Sequence, residues 1–119
     1  MTSNARSEKG RTGTSARQEY AIIVTFELED GAAARFRHLV AENARKSVAQ
    51  ETGCLRFDVL FPTDGASPHD VVLYEIYTDP AAFDLHLASA HFKSFDEETR
   101  TLVRRKTVTA YAVDQNAKA

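Results

Sequence analysis

Tryptophan is absent from this chain of 119 residues, and cysteine occurs once, as Cys54. A single cysteine excludes an internal disulfide and any zinc or iron–sulfur site built from several cysteines. We predict that Cys54 is a small buried residue of a strand, because a reactive thiol needs a partly exposed, electropositive setting. No glycine-rich phosphate loop precedes a helix signal, so nucleotide and flavin binding have no motif behind them.

A long apolar run and a strong net charge are missing as well. No run approaches the roughly 20 apolar residues that span a bilayer, and no apolar core of a signal peptide is visible. The net charge of -2 gives no general attraction to nucleic acid or to anionic membranes. We therefore expect a cytoplasmic protein that has neither nucleic acid nor a membrane as a partner.

The start of the chain differs in composition from the rest. Residues 1–18 carry Ser, Thr, Gly, Arg and Lys, with no aromatic and no β-branched aliphatic residue. Such a segment cannot bury enough apolar surface to offset the entropy that ordering would cost. We expect a flexible tail over residues 1–18, one folded domain over 19–114 and a polar end over 115–119.

Hydrophobic periodicity predicts four strands and two helical units. Alternating apolar residues predict strands over 20–28, 54–61, 69–78 and 106–113. A stripe at helical spacing predicts a helix over 32–50 that has Asn43 on its core side. Asp79 and Pro80 are typical of a helix start, and Ser89 can cap a second segment after a break. The order β-α-β-β-α-β predicts an α+β, ferredoxin-like fold: an antiparallel sheet with helices on one face.

Several of the predicted strands are apolar on both faces, as neighbours Ile22 and Ile23 illustrate. Helices can cover only one of these faces, so the other face needs a partner. The economical partner is a second copy of the same sheet, and we therefore expect a homodimer.

Three segments of the chain resemble the antibiotic biosynthesis monooxygenase family, whose members are small dimeric ferredoxin-like α/β-barrel proteins. Residues 53–59, Gly-Cys-Leu-Arg-Phe-Asp-Val, resemble the family's second strand, and residues 73–79, Leu-Tyr-Glu-Ile-Tyr-Thr-Asp, resemble its third. Residues 86–92, His-Leu-Ala-Ser-Ala-His-Phe, resemble its paired-histidine segment, although Ala90 stands where a proline is common. The last two segments look closest to the quinol-monooxygenase and autoinducer-2-isomerase branches.

The resemblance implies oxygenation without a cofactor: a base deprotonates a quinol or polycyclic phenol, and the anion reacts directly with oxygen. His86 on the core side of its helix is a candidate base, because the pKa of histidine lies near 6.5. His91 is a second candidate, and Asn43 could donate a hydrogen bond to the developing oxyanion. The expected substrate contacts are hydroxyl donors, apolar walls, a carboxylate and a cation: Tyr74, Tyr77, Phe57, Phe83, Phe92, Glu75 and Arg56.

Each of these residues also has a purely structural interpretation. An inward histidine or asparagine can simply satisfy core hydrogen bonds, the aromatic residues can be ordinary core, and Glu75 can pair with Arg56 across adjacent strands. The spacing of His86 and His91 is not the i, i+4 spacing of two ligands on one helical face, so no metal site is predicted. Haem degradation is disfavoured because the haem-degrading branch uses an Asn, Trp and His set.

Two alternative functions remain open from the sequence. One is an isomerase of a small phosphorylated dicarbonyl of the autoinducer-2 type, which would need cations such as Arg56, Lys93 and residues 104–106 for the phosphate. The other is a non-catalytic dimer that binds a small apolar ligand.

Overall fold

Four strands and three helices follow one another in the computed structural model, which describes residues 18–64 and 70–117. Their bounds are β1 Tyr20–Leu28, α1 Ala33–Gln50, β2 Cys54–Leu60, β3 Asp70–Tyr77, α2 Pro80–Leu87, α3 Ala90–Thr99 and β4 Val103–Ala112, followed by a 3-10 turn at Gln115–Ala117. The expected ferredoxin-like order is confirmed, with the second helical unit divided in two. Residues 1–17 of the tail expected over 1–18, residues 65–69 of the loop before β3 and the last two residues lie outside the described residues.

The sheet has the strand order β2-β3-β1-β4, and all neighbouring pairs are antiparallel. In the central strand β1, Ile22 lies opposite Glu75 of β3 and Ala110 of β4, so these three residues share one face of the sheet. The next residue, Ile23, lies opposite Tyr74 and Thr109 on the other face. Adjacent residues of each strand therefore serve two different environments, as the period of two requires.

The face of the sheet that carries Ile22 is covered by the helices and forms the core. Phe26 of β1 packs on Phe36 of α1 with ring centroids 4.8 Å apart, and Phe36 packs on Phe95 of α3 at 5.8 Å. All three side chains are buried, and burial of each contributes roughly 1.5–3 kcal/mol. This aromatic group fixes α1 and α3 over the sheet.

The break between α2 and α3 follows from two helix caps. The Asp79 carboxylate accepts a hydrogen bond from the Ala82 N–H at 2.8 Å, with Pro80 in the first turn. The Ser89 hydroxyl oxygen accepts from the Phe92 N–H at 3.2 Å and starts α3. Both capping predictions are confirmed. As a result, His86 lies in the last turn of α2.

Gly53 marks a close approach between the start of β2 and helix α2. A Cβ atom on Gly53 would lie 2.5 Å from the Cβ of Ala82 and 3.2 Å from the Thr78 hydroxyl oxygen. Only glycine allows this contact, so it sets the distance between the end of α1 and the helix that carries His86.

None of the helices within residues 18–64 and 70–117 covers the second face of the sheet. One cross-strand row consists of Asp58, Tyr74, Ile23 and Thr109, and the next of Arg56, Ile76, Ala21 and Tyr111. At the two edges of this face Tyr111 is 54% exposed and Leu60 is 47% exposed. We call it the open face. Among the described residues, none of the helices combines the length and the apolarity that crossing a bilayer requires.

Candidate active site

A narrow cavity lies between the helix-covered face of the sheet and the junction of α2 and α3. Most of its lining is apolar, and its polar members are Asn43, Glu75, His86 and Lys106. Its volume is about 40 Å³, whereas one water molecule needs roughly 10–15 Å³. A bicyclic ligand therefore requires movement of side chains such as Leu87, which lines the cavity and is exposed.

His86 forms one wall of this cavity inside a box of aromatic rings. The rings of Phe57, Tyr77, Phe83 and Phe92 have their centroids 5.2–6.2 Å from the imidazole. Burial among them lowers the pKa of His86, because the charged imidazolium loses its hydration, although the carboxylate of Glu51 acts in the opposite direction. The lowered pKa favours the neutral imidazole, the protonation state that a general base needs.

Glu51, the residue directly after α1, is the partner of both histidines. Its Oε2 atom lies 2.8 Å from Nδ1 of His86 and 2.5 Å from Nε2 of His91. The three side chains come from different helical segments, and 35 and 40 residues separate Glu51 from the two histidines. Glu51 is not among the predicted site residues, because the sequence marks it only as an acidic residue at the end of a helical stripe.

The contact with Glu51 determines which nitrogen of His86 can act as a base. Nδ1–H donates to the carboxylate, so the neutral ring keeps its lone pair on Nε2. The Ser47 hydroxyl lies 3.5 Å from Nδ1 but donates to the carbonyl of Asn43 at 2.8 Å. Nε2 is therefore the acceptor that remains for a ligand in the cavity.

Glu75 is a second carboxyl group of the cavity, on strand β3. It is buried, and the hydroxyl of Tyr77 donates to its Oε1 atom at 2.6 Å. Burial raises the pKa of Glu75 to about 7, against the opposing effects of the Tyr77 hydrogen bond and the charge of Lys106. Glu75 can therefore exchange a proton near neutral pH.

Asn43 contributes an unsatisfied polar group to the same cavity. Its residue surface is 3% exposed, and within the described part of the chain its Oδ1 atom has no hydrogen-bond partner. A buried amide oxygen without a partner costs about 1–3 kcal/mol. A ligand with a polar group at this position would remove that cost.

The predicted site residues divide between three places. Those that line the cavity are Asn43, Phe57, Glu75, Phe83, His86 and Phe92. Tyr77 packs behind the cavity against Glu75 and His86, and His91 borders an outer cleft between α1 and α3. Tyr74 and Arg56 lie on the open face. The alternative interpretation in which Arg56 pairs with Glu75 is wrong, because the Arg56 Nε atom contacts Asp58 at 2.6 Å on that face.

These features define an α+β protein of ferredoxin-like topology with a titratable cavity between sheet and helices. Within that class, the family model described as antibiotic biosynthesis monooxygenase matches residues 19–98. The chain belongs to the antibiotic biosynthesis monooxygenase family.

Solved structures agree on the fold. A candidate antibiotic biosynthesis monooxygenase from Nitrosomonas europaea is 23% identical with a TM-score of 0.77, covering 82% of this chain and 92% of that one. A similar candidate from Bacteroides thetaiotaomicron has 23% identity, a TM-score of 0.73 and coverages of 79% and 88%. Rv0793 from Mycobacterium tuberculosis has 26% identity, a TM-score of 0.74 and coverages of 84% and 99%.

Proposed function

We propose that this protein is a cofactor-independent monooxygenase that oxidises a quinol or a polycyclic phenol. The observation that carries the proposal is a buried His86 that lines an apolar cavity while Glu51 engages its Nδ1 atom, which leaves Nε2 for a ligand. A substrate O–H or activated C–H proton moves to Nε2, and the anion gives an electron to oxygen. The two radicals join in a carbon–oxygen bond, the peroxide anion takes the proton back from Nε2, and the resulting hydroperoxide loses water to leave a carbonyl group.

The rest of the cavity supports this chemistry. Phe57, Phe83 and Phe92 form apolar walls that suit a flat ring and exclude water. The Asn43 amide can turn a donor toward the developing oxyanion, and Glu75 is available to a second hydroxyl group of a quinol. The side chains at the mouth have to move to admit such a ring.

Oxygen uptake tests the proposed reaction. We expect the purified protein to consume oxygen with a naphthohydroquinone or an anthrone, and His86→Ala to lower kcat/KM by about 10²–10⁴-fold. His38→Ala is the matched control, because His38 is exposed on α1 and should keep full activity. Equal activity in all three proteins would remove His86 from the mechanism.

We also propose that two copies associate through the open face and work as a cytoplasmic homodimer. The exposed Tyr111 at one edge and the half-buried Ile23 and Tyr74 in the centre form an apolar surface on that face. Tyr74 and Arg56 then belong to the interface rather than to the cavity. Light scattering after size exclusion should give twice the monomer mass, and Ile23→Asp should shift the protein toward monomer. A wild-type monomer at micromolar concentration contradicts the dimer.

A second candidate function is the isomerisation of a small phosphorylated dicarbonyl, and the position of Lys106 favours it. Lys106 lines the cavity and also borders a cleft that contains Arg100, Arg104 and Arg105. A phosphate could bind there while His86 removes the proton of an enolisable carbon. Turnover of a phosphorylated dicarbonyl without oxygen would support this function over the oxygenase. Tight binding of an apolar ligand by an inert protein would instead indicate a non-catalytic binding role.

A further inference from the structure

One carboxylate oxygen is shared by two imidazoles at the junction of three helices. Glu51 Oε2 accepts from His86 and from His91, and the side chains of Glu51, His86 and His91 are 13%, 3% and 7% exposed. A cluster this well buried has few ways to rearrange, so each hydrogen bond restricts the two others.

The two histidines face different spaces. His86 lines the cavity, whereas His91 lines the outer cleft between α1 and α3, together with Glu42, Lys46 and Glu98. The Nε2 atom of His91 is already engaged by Glu51. Because His91 does not line the cavity, it is not placed to act as the base for a ligand bound there.

We propose that Glu51 and His91 are positioning residues for His86, an inference that rests on the proposed function. Glu51 holds His86 in the Nδ1–H tautomer and stabilises the imidazolium that forms when Nε2 takes the substrate proton. That proton stays on the imidazole, as in hydrolase triads, and returns from Nε2 to the peroxide oxygen. His91 donates to the same carboxylate oxygen and keeps it aligned with His86.

A metal ion bound by the same three side chains is the competing explanation. Their donor atoms lie within 4.8 Å of one another. In a tetrahedral site with bonds of 2.0–2.1 Å, however, neighbouring donors are separated by about 3.3 Å. The nitrogen–oxygen distances of 2.8 and 2.5 Å are instead those of direct hydrogen bonds. These distances favour the positioning role.

The variant Glu51→Gln removes the negative charge of Glu51 and keeps the size and shape of its side chain. The groups that bear on the charge of His86 are Glu51 from the end of α1, His91 from α3, Glu75 and Tyr77 from β3, and Lys106 from β4. Only the first of these stabilises the imidazolium by direct contact. We expect Glu51→Gln to lower kcat about 10-fold at nearly constant KM and to move the rising limb of the pH profile about one unit toward acid.

His91→Gln and His91→Leu test the second position as a matched pair. The glutamine amide can still donate to Glu51, whereas leucine cannot. We expect His91→Gln to retain most of kcat and His91→Leu to lose about as much as Glu51→Gln. Equal losses in both variants contradict the positioning role, because they would mean that the imidazole itself is required.

Imidazole ¹⁵N NMR of the protein without substrate tests the same inference independently of activity. We expect the His86 signals, assigned by comparison with His86→Gln, to show the Nδ1–H tautomer in the wild type and a mixture in Glu51→Ala. An Nε2–H tautomer in the wild type would overturn the inference, as would a stoichiometric metal that copurifies and is lost in Glu51→Gln. If the tautomer is as expected but no quinol is oxidised, the positioning role stands and the proposed oxygenase fails.

Discussion

Two buried carboxylates flank His86, and they differ in the groups that bind them. Glu51 lies behind the imidazole and accepts hydrogen bonds from two histidine rings. Glu75 lies on the cavity wall and accepts from one phenol, the hydroxyl of Tyr77. The first carboxylate does not line the cavity and reaches it through His86, whereas the second can meet a ligand there directly. The two glutamates thus have different roles because they lie at different positions relative to His86.

The largest difference should appear in the pH dependence of stability. The pKa of Glu75 is raised from 4.5 to about 7, so the folded state binds a proton that the unfolded state releases. The contribution of this protonated carboxyl group to the free energy of unfolding is complete below pH 4.5 and is lost as the pH rises to about 7. We expect the wild type to lose about 3 kcal/mol relative to Glu75→Gln over this interval, at 1.36 kcal/mol per unit.

Urea unfolding of the two proteins at pH 4.5, 6 and 8 measures that difference, and contributions from other groups cancel in the comparison. A stability difference that stays constant with pH would mean that Glu75 is not titrating with a raised pKa.

Gly53→Ala should disturb the contact between Glu51 and His86 and leave the contact between Glu75 and Tyr77 intact. The new Cβ would meet the Cβ of Ala82 at 2.5 Å, so α2 and its His86 must move away from the end of α1. We expect a loss of about 1–3 kcal/mol from overpacking. Thermal unfolding measures the loss, and Gly31→Ala is unsuitable as a control because Gly31 has a φ of 79°. Ala81→Gly on the exposed side of α2 is the better reference, with a cost of about 1 kcal/mol from helix propensity alone.

Helix caps and alternating apolar residues are local signals of the sequence, which is why they predicted the helices and strands well. Asp79, Pro80 and Ser89 act on atoms within three residues of themselves. Glu51 depends instead on how three helices meet, and no spacing in the sequence encodes that contact. Strict alternation along β2 would let Arg56 pair with Glu75, but a bulge between Cys54 and Arg56 shifts the register. Phe57 therefore lies opposite Glu75, and Arg56 lies opposite Ile76 on the open face.

The kinetic constants should separate the two carboxylates. Glu75 touches the cavity, so Glu75→Gln should change substrate binding and raise KM several-fold, with a smaller effect on kcat. Glu51 acts through His86, so its glutamine variant should mainly lower kcat, by about 10-fold or about 1.4 kcal/mol. Steady-state oxygen uptake over a range of quinol concentrations gives both constants. The same pattern in both variants would mean that the two carboxylates have no separate roles.

The smallest effect we expect is that of Tyr77→Phe, which removes only the hydroxyl that donates to Glu75. That hydrogen bond lowers the pKa of Glu75 against the effect of burial, so its loss should raise the pKa further. The stability cost should be roughly 1 kcal/mol at pH 8, where the carboxylate loses its donor, and less at pH 4.5, where the carboxyl group is neutral. Carboxyl ¹³C NMR of Glu75 follows the titration directly. Because the Tyr77 hydroxyl donates to Glu75 and the ring that packs on His86 is kept, the His86 tautomer should be unchanged. A tautomer shift in this variant would mean that the two carboxylates are coupled through the ring of His86.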